Sequence, residues 1–156
     1  MTKESFCAEQ AVGSRDGRMA KKHVVAAVSE IPPGSRKLVT ADGRAIVVFN
    51  LGGEFFALSN RCPHRGGSLC QGRLTGLVLS DEPGEYNYIR RGEIIRCPWH
   101  AWEFDIRTGK SWSDPNRVRA RNYAVSVEKG DKLVEGPYVA ETFPVRVEDD
   151  YVVVEA

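Results

Sequence analysis

From residue 23 onward, short apolar runs alternate with turn residues, a pattern typical of β-strands. Four such runs follow one another, reading HVVAAV, SRKLVTA, RAIVVFN and EFFALS. They are separated by Pro-Pro-Gly at 32–34, Asp-Gly at 42–43 and Gly-Gly at 52–53. Asp-Gly between two strand-like runs is a strong hairpin signal, so this half of the chain predicts antiparallel strands joined by tight turns.

The second half of the chain continues the same alternation through WEFDI, RVRARNYAVSVEKGD and FPVRVEDDYVVVEA. The last run predicts a terminal hairpin turning at Asp149 and Asp150. The run RVRAR places Arg117, Arg119 and Arg121 on one face of a predicted strand. That face is interpreted as solvated, with a docking patch for an acidic partner as the alternative.

No window shows ten residues of helical periodicity. The predicted fold class is all-β, a small antiparallel sandwich or barrel whose loops carry the chemistry.

Length and charge refine this picture only slightly. A chain of 156 residues suits one domain. Residues 1–20 carry few large apolar side chains and are predicted to be a flexible tail, leaving 21–156 as the domain. With 22 basic and 21 acidic residues, the chain offers no reason to expect nucleic acid or an anionic membrane as a partner. No apolar run approaches the roughly 18 residues of a membrane span, and the polar start resembles no signal peptide, so a cytoplasmic location is expected.

Cysteine and histidine occur in two short boxes. Cys62 and His64 form a Cys-x-His box within RCPHRGG, and Cys97 and His100 form a Cys-x-x-His box within CPWHAWEF. Thirty-two residues separate the boxes. In a cytosolic chain, grouped cysteines and histidines indicate metal ligands before disulfides. His23, the third histidine, has no such neighbour in sequence and is interpreted as structural or exposed.

Three kinds of site use such residues. Zinc takes two cysteines and two histidines in a tetrahedral site. A cysteine nucleophile with a histidine base would explain one box but leave the other without a role. A two-iron, two-sulfide cluster takes two cysteines on one iron and two histidines on the other. Because each box supplies one ligand of each kind, two loops clasping one cluster account best for the mixed pairing. The other two sites remain as alternatives.

The residues around the boxes suit a cluster held between two loops. A proline after each cysteine limits the motion of the loop and removes an amide donor. Gly66 and Gly67 would let the backbone approach the cluster closely. Trp99, Trp102 and Phe104 would shield it from water, although such aromatic residues are also ordinary core residues.

With these two boxes, the chain from about residue 22 to 156 resembles the Rieske [2Fe-2S] proteins. The run CPWHAWEFDIRTGK is most similar to the Rieske domain of ring-hydroxylating oxygenases, with Ala101 where that family usually has glycine. The resemblance implies one [2Fe-2S] cluster. It implies Cys62 and Cys97 as ligands of the inner iron, and His64 and His100 as ligands of the outer, electron-accepting iron.

The chain also departs from some members of the family. Respiratory Rieske subunits carry a further cysteine in each box and a disulfide between the loops; Gly67 and Trp99 stand at those positions, so that bridge cannot form. Cys7 and Cys70 are therefore expected to be free thiols. Residues 80–93 lengthen the spacing between the boxes and are predicted to form an exposed hairpin.

The resemblance implies a soluble electron carrier that passes single electrons between a reductase and an oxygenase or other acceptor. As an alternative, the chain is a small cluster-bearing subunit of a larger oxygenase or of a complex like nitrite reductase. A family oxygenase also needs a mononuclear iron held by two histidines and a carboxylate. With His64 and His100 assigned to the cluster only His23 remains, so the chain alone is not expected to be an enzyme.

Overall fold

The computed structural model describes residues 20–135 and 149–156, which form ten strands in three antiparallel sheets. The strands are β1 (Lys22–Ala27), β2 (Arg36–Ala41), β3 (Arg44–Leu51), β4 (Glu54–Ser59), β5 (Arg73–Leu79), β6 (Asn87–Arg96), β7 (Glu103–Asp105), β8 (Asn122–Tyr123), β9 (Val125–Lys129) and β10 (Asp150–Glu155). Within these described ranges, helical structure is limited to α1 (Gly130–Glu135) and two 3₁₀ turns at Val28–Glu30 and Leu69–Gln71. The all-β prediction is confirmed. No helix in the described ranges has the length and apolar content to cross a bilayer.

A four-stranded sheet in the order β2-β3-β4-β8 contains both predicted tight turns. Ala41 pairs with Arg44 across the Asp-Gly turn, where both turn residues have positive φ angles of 50° and 70°. Two consecutive positive φ angles match the right-handed twist of the flanking strands. The Gly-Gly turn between β3 and β4 has the same feature. These two turns confirm the predicted hairpins.

A three-stranded sheet in the order β1-β10-β9 faces the four-stranded sheet. The core between them is built from small and β-branched side chains of both sheets, among them Val25, Ala26, Ile46, Val48, Val152 and Val154. Strand β10 pairs with β9 on one side and with β1 on the other. The first arm of the predicted terminal hairpin, residues 143–148, lies outside the described residues.

The third sheet, in the order β5-β6-β7, carries the second cysteine box at the end of β6. A second core joins it to the four-stranded sheet and includes Val47, Phe49, Leu58, Leu69, Ile95 and Phe104 together with Cys62 and Cys97. Strands β5 and β6 form a long hairpin in which residues 80–89 are all exposed. This outcome agrees with the exposed hairpin predicted for 80–93.

A bulge interrupts the long hairpin and is fixed by ion pairs. The strand register jumps at β6, so that residues 90–93 stand out from the ladder. Arg90 contacts Glu93 at 2.8 Å and Asp105 at 2.9 Å, while Arg107 contacts Glu93 at 3.4 Å and Glu54 of β4 at 2.9 Å. The hydrogen bonds from Arg90 and Arg107 lower the pKa of Glu93 below its ordinary value. The network ties the third sheet to the four-stranded one.

The run RVRAR at 117–121 is not a strand, so that prediction is wrong. A turn precedes it, in which the amides of Arg117 and Val118 donate to the carbonyl of Asp114, and only Arg119 makes a β-bridge, with Lys110. The alternation nevertheless persists, since Val118 and Ala120 face the core while the three arginines are exposed. Burial of the small apolar residues is sufficient to present the arginines outward without a regular ladder.

Candidate metal centre

The first box forms a tight loop, called loop one here (residues 62–67). The amide of Cys62 donates to the carbonyl of Gly67 at 2.8 Å, and the carbonyl of Cys62 accepts from the amide of Gly66 at 2.8 Å. Gly66 has a φ angle of 90°, in the left-handed region that glycine adopts without a steric penalty. The loop thus follows from the position of a glycine four residues after the cysteine.

The second box, loop two (residues 97–102), repeats this hydrogen-bond frame between β6 and β7. The amide of Cys97 donates to the carbonyl of Trp102 at 2.8 Å, and its carbonyl accepts from the amide of Ala101 at 3.1 Å. Ala101 takes the position of the left-handed glycine, with a φ angle of 57°. The turn therefore forms although the usual glycine is absent, at a cost of about 1 kcal/mol in backbone strain.

Loop one is closed by Asn60, a residue that the sequence analysis did not single out. Its Oδ1 accepts from the amide of Cys70 at 2.8 Å, and its side-chain amide lies 3.1 Å from the hydroxyl of Ser68. Its backbone carbonyl also accepts from the amide of Leu69 at 2.8 Å. One asparagine thus joins the two ends of the loop. Its place two residues before the first cysteine was the only signal in the sequence.

The two cysteines are buried side by side. Cys62 and Cys97 are each 2% exposed, and the Cys62 thiol lies within hydrogen-bonding reach of the Cys97 thiol. Burial raises the pKa of Cys62, the Cys97 thiol adds to the increase, and amides of His64 and Arg65 aimed at the sulfur oppose it. Two adjacent thiolates in a buried site repel each other, and a bound cation relieves that repulsion. The donor set therefore fits a metal centre.

The two histidines form a second pair at the surface. The imidazole rings of His64 and His100 are 4.8 Å apart between centroids and meet edge to face at 89°. Trp102 stacks on His64 at 5.0 Å with an interplanar angle of 23°. Both histidines are exposed. Across residues 20–135 and 149–156, no three Cys, His, Asp or Glu side chains are grouped as the site of a single ion would require. Two thiols in one pair and two imidazoles in another match a two-iron cluster with two protein ligands on each iron.

Gly67 permits the close contact between the loops. A Cβ atom at Gly67 would lie 2.8 Å from the sulfur of Cys97 and 3.1 Å from Cγ of Trp99. Gly67 and Trp99, the positions at which respiratory Rieske subunits carry extra cysteines, therefore face each other. Phe104 is fully buried and Trp102 is half-buried, as expected, but Trp99 is 62% exposed. Trp99 lies beside Gly67, and its role in shielding the site from water stays a prediction.

Cys70 and His23 are not part of this pairing. Cys70 is a half-buried free thiol, as predicted, and Cys7 lies outside the described residues. His23 is buried in β1 opposite Val154, and its Nε2 has no hydrogen-bond partner among the described residues. His23 is therefore not exposed, and its structural role stays a prediction.

Comparison with known proteins agrees with this geometry. The family model for the Rieske [2Fe-2S] domain matches residues 21–124. The chain is 32% identical over 108 residues to the biphenyl dioxygenase ferredoxin subunit of Pseudomonas sp. (strain KKS102), covering 69% of this chain and 85% of that protein. It is 30% identical over 110 residues to the 3-phenylpropionate/cinnamic acid dioxygenase ferredoxin subunit of Escherichia coli (strain K12), covering 70% and 89%.

Solved structures show the same fold. The chain is similar to a ferredoxin of Sphingomonas yanoikuyae B1, with a TM-score of 0.56 and 24% identity over 87% of this chain and 99% of that one. The ferredoxin of carbazole 1,9a-dioxygenase from Nocardioides aromaticivorans IC177 gives a TM-score of 0.54 and 22% identity, covering 85% and 97%. With the paired thiols and imidazoles, the family-model match and the two ferredoxin relatives show that the chain belongs to the Rieske [2Fe-2S] domain family and carries one cluster of that type.

Proposed function

We propose that Cys62 and Cys97 bind one iron of the cluster and that His64 and His100 bind the other. The contact between the two thiols and the contact between the two imidazoles support this assignment. When bound, the cluster supplies one-electron chemistry. The buried cysteines anchor it against the second core, where Leu69, Ile95 and Phe104 exclude water from the sulfur side.

The protein acts in this proposal as a one-electron carrier between a reductase and an oxygenase. The observation that carries it is the exposure of both imidazoles, because their edges offer a partner the shortest route to the metal. The named relatives are ferredoxin subunits of dioxygenases. The chain contains only three histidines. With two assigned to the cluster, too few remain for the two-histidine, one-carboxylate iron site of an oxygenase.

The functional unit comprises residues 21–156, with residues 1–20 as an additional tail, and it works as a soluble protein in the cytoplasm. The family model begins at residue 21, which supports this boundary. A chain lacking residues 1–20 is expected to keep its cluster content and its melting temperature, and a large fall in either would place the tail in the folded unit.

Reconstituted electron transfer tests the carrier function. Holoprotein would be mixed anaerobically with NADH, a ferredoxin reductase and the oxygenase component of biphenyl dioxygenase, with the ferredoxin of that system as positive control. In mixtures without that control ferredoxin, we expect the oxygenase to turn over only when this chain is present. Substrate oxidation by the chain without an oxygenase would contradict the carrier function, as would a reduced holoprotein that no oxygenase component can oxidise.

A further inference from the structure

A cleft of about 340 Å³ opens beside loop one and next to His64. Four of its lining residues are arginines from two separate parts of the chain: Arg61, Arg65, Arg119 and Arg121. All four are exposed. We call this group the arginine cleft. From the sequence, the face of Arg119 and Arg121 is interpreted as solvated, with a docking patch for an acidic partner as the alternative. The fold brings both arginines against the first cysteine box.

Within the part of the chain that the structure describes, the charges of the arginine cleft are not paired with carboxylates. Among residues 20–135 and 149–156, no carboxylate forms an ion pair with any of its four guanidinium groups. Outside the cleft, three arginines, Arg90, Arg96 and Arg107, each lie within 2.6–2.9 Å of a carboxylate. The net charge is only +1, so the cleft concentrates positive charge locally rather than reflecting a basic protein.

Two of the arginines are held in place without loss of charge. Arg119 donates from Nε to the carbonyl of Thr108 at 3.1 Å. The guanidinium of Arg121 lies over the ring of Tyr123, 5.0 Å from its centroid. Both contacts orient the group, and the positive charge remains available to a carboxylate, which a guanidinium can bind through two parallel hydrogen bonds.

Positive charge around the exposed edge of a redox site attracts negatively charged partners and repels positively charged ones. We propose that the arginine cleft is a docking surface for the electron-transfer partner, and that this partner presents carboxylate side chains there; the inference rests on the carrier function proposed above. The four guanidinium groups are exposed and come from two segments, an arrangement that suits several carboxylates on a protein surface better than one enclosed small anion.

Small charged oxidants test the field of the cleft without any protein partner. Ferricyanide and tris(1,10-phenanthroline)cobalt(III) each take one electron from the reduced holoprotein, becoming ferrocyanide and the cobalt(II) complex. The variant Arg119→Gln/Arg121→Gln removes two charges remote in sequence from the boxes. The control Lys129→Gln/Lys132→Gln removes two exposed charges from β9 and α1.

At low ionic strength we expect the arginine variant to lower the ratio of the ferricyanide to the cobalt rate constant by about tenfold, the low end of the effect of focused fields. The control should change that ratio less than about twofold, because neither lysine lines the cleft beside His64. Unchanged midpoint potentials and electron paramagnetic resonance spectra would show that the driving force and cluster are intact. An equal change in both variants would overturn the proposal.

A hexaglutamate peptide distinguishes a protein-docking surface from a small-anion site. The peptide should slow ferricyanide oxidation of the wild type and the lysine control, and it should not affect the arginine variant. If inorganic phosphate at equal charge concentration inhibits as strongly as the peptide, the cleft binds small anions and the docking proposal is wrong. These outcomes do not depend on whether any oxygenase accepts electrons, so they are separate from a failure of the carrier function.

Discussion

Loops one and two share a backbone frame but differ in what each residue position carries. In both, the cysteine amide donates to a carbonyl five residues later, and the cysteine carbonyl accepts from an amide four residues later. The cysteine thus occupies the same point of each frame. The histidine does not, since it follows by two residues in loop one and by three in loop two. The frame therefore fixes the cysteines, whereas the contact between the imidazoles depends on how the two loops meet.

The loops also differ in how their ends are held. Loop two continues two paired strands, and Arg96 at the end of β6 contacts Glu103 at the start of β7 through hydrogen bonds of 2.9 and 2.6 Å. Loop one has no such ladder, apart from one bridge between Arg61 and Ser68, and relies on the side chain of Asn60. The two loops therefore share backbone hydrogen bonds, but paired strands hold loop two and one side chain holds loop one. Loop one should be the more sensitive to a single substitution.

The largest expected effect is a difference in cluster content between substitution of a cysteine that begins one of the two loops and substitution of Cys70, which lies outside both. Cys97→Ala should lose the cluster entirely, because the buried partner of Cys62 is removed. Cys70→Ala should keep full iron and sulfide content, since its thiol is a half-buried free group. Iron and sulfide analysis of both purified variants is the measurement. Equal loss of iron and sulfide in the two variants would show that the position of a cysteine in these loops does not decide whether it binds the cluster.

The next effect concerns the contact between the loops. Gly67→Ala should lower cluster content well below that of the wild type, because the new Cβ would lie 2.8 Å from the sulfur of Cys97. Gly84→Ala is the control, since a Cβ there meets nothing within 4 Å. Gly84 has a φ of 93°, so the control should cost only about 1 kcal/mol in stability and no iron. Full cluster occupancy in Gly67→Ala would mean that the loops can separate freely.

The unequal supports predict unequal losses of stability. Asn60→Ala should lower the free energy of unfolding by about 2 kcal/mol, because the amide of Cys70 loses its acceptor in a partly buried place. Glu103→Gln should cost about 0.5 kcal/mol, as expected for an ion pair whose arginine is 45% exposed. Urea denaturation of the two holoproteins measures both values. Equal losses would contradict the difference in support.

The smallest expected effect comes from exchanging alanine and glycine at the left-handed position of each loop, Ala101 in loop two and Gly66 in loop one. Ala101→Gly should raise stability by several tenths of a kcal/mol to about 1 kcal/mol, because glycine adopts its φ of 57° without a Cβ clash. Gly66→Ala should lower stability by about 1 to 2 kcal/mol.

Ala45→Gly, at an exposed site in β3, is the control for Ala101→Gly and should lower stability by about 0.5 kcal/mol or slightly more, as glycine does within a strand. Thermal unfolding of the variants shows whether each substitution raises or lowers stability. A destabilised Ala101→Gly would show that the second frame is not strained.

Much of the scaffold could be predicted because local chemistry decides it. The two tight turns were visible as Asp-Gly and Gly-Gly, and the cysteine boxes as short spacings. The strand prediction failed because it depended on how the segment lies in the fold. Residues 117–121 alternate as a strand does, but the preceding turn at Asp114 leaves them only one bridge. The exposure of Trp99 likewise depends on the fold, which places its ring beside Gly67, far away in sequence.

The role of Asn60 and the position of the arginine cleft were also out of reach of the sequence. Asparagine is common in loops, and only the fold shows that its side chain reaches residues 68 and 70. Arg61 and Arg65 belong to the first box, whereas Arg119 and Arg121 follow the second. Nothing in their spacing indicates that they line one cleft.

The pairing of thiols and imidazoles is tested most directly by pulsed electron paramagnetic resonance of the reduced holoprotein, with iron and sulfide analysis of the same sample. We predict two irons and two sulfides per chain, and two distinct nitrogen couplings from His64 and His100 at the reduced iron. His64→Ala and His100→Ala should each abolish this spectrum, and His23→Leu should leave it intact. A cluster without nitrogen couplings, or a colourless protein holding one zinc ion, would contradict the account.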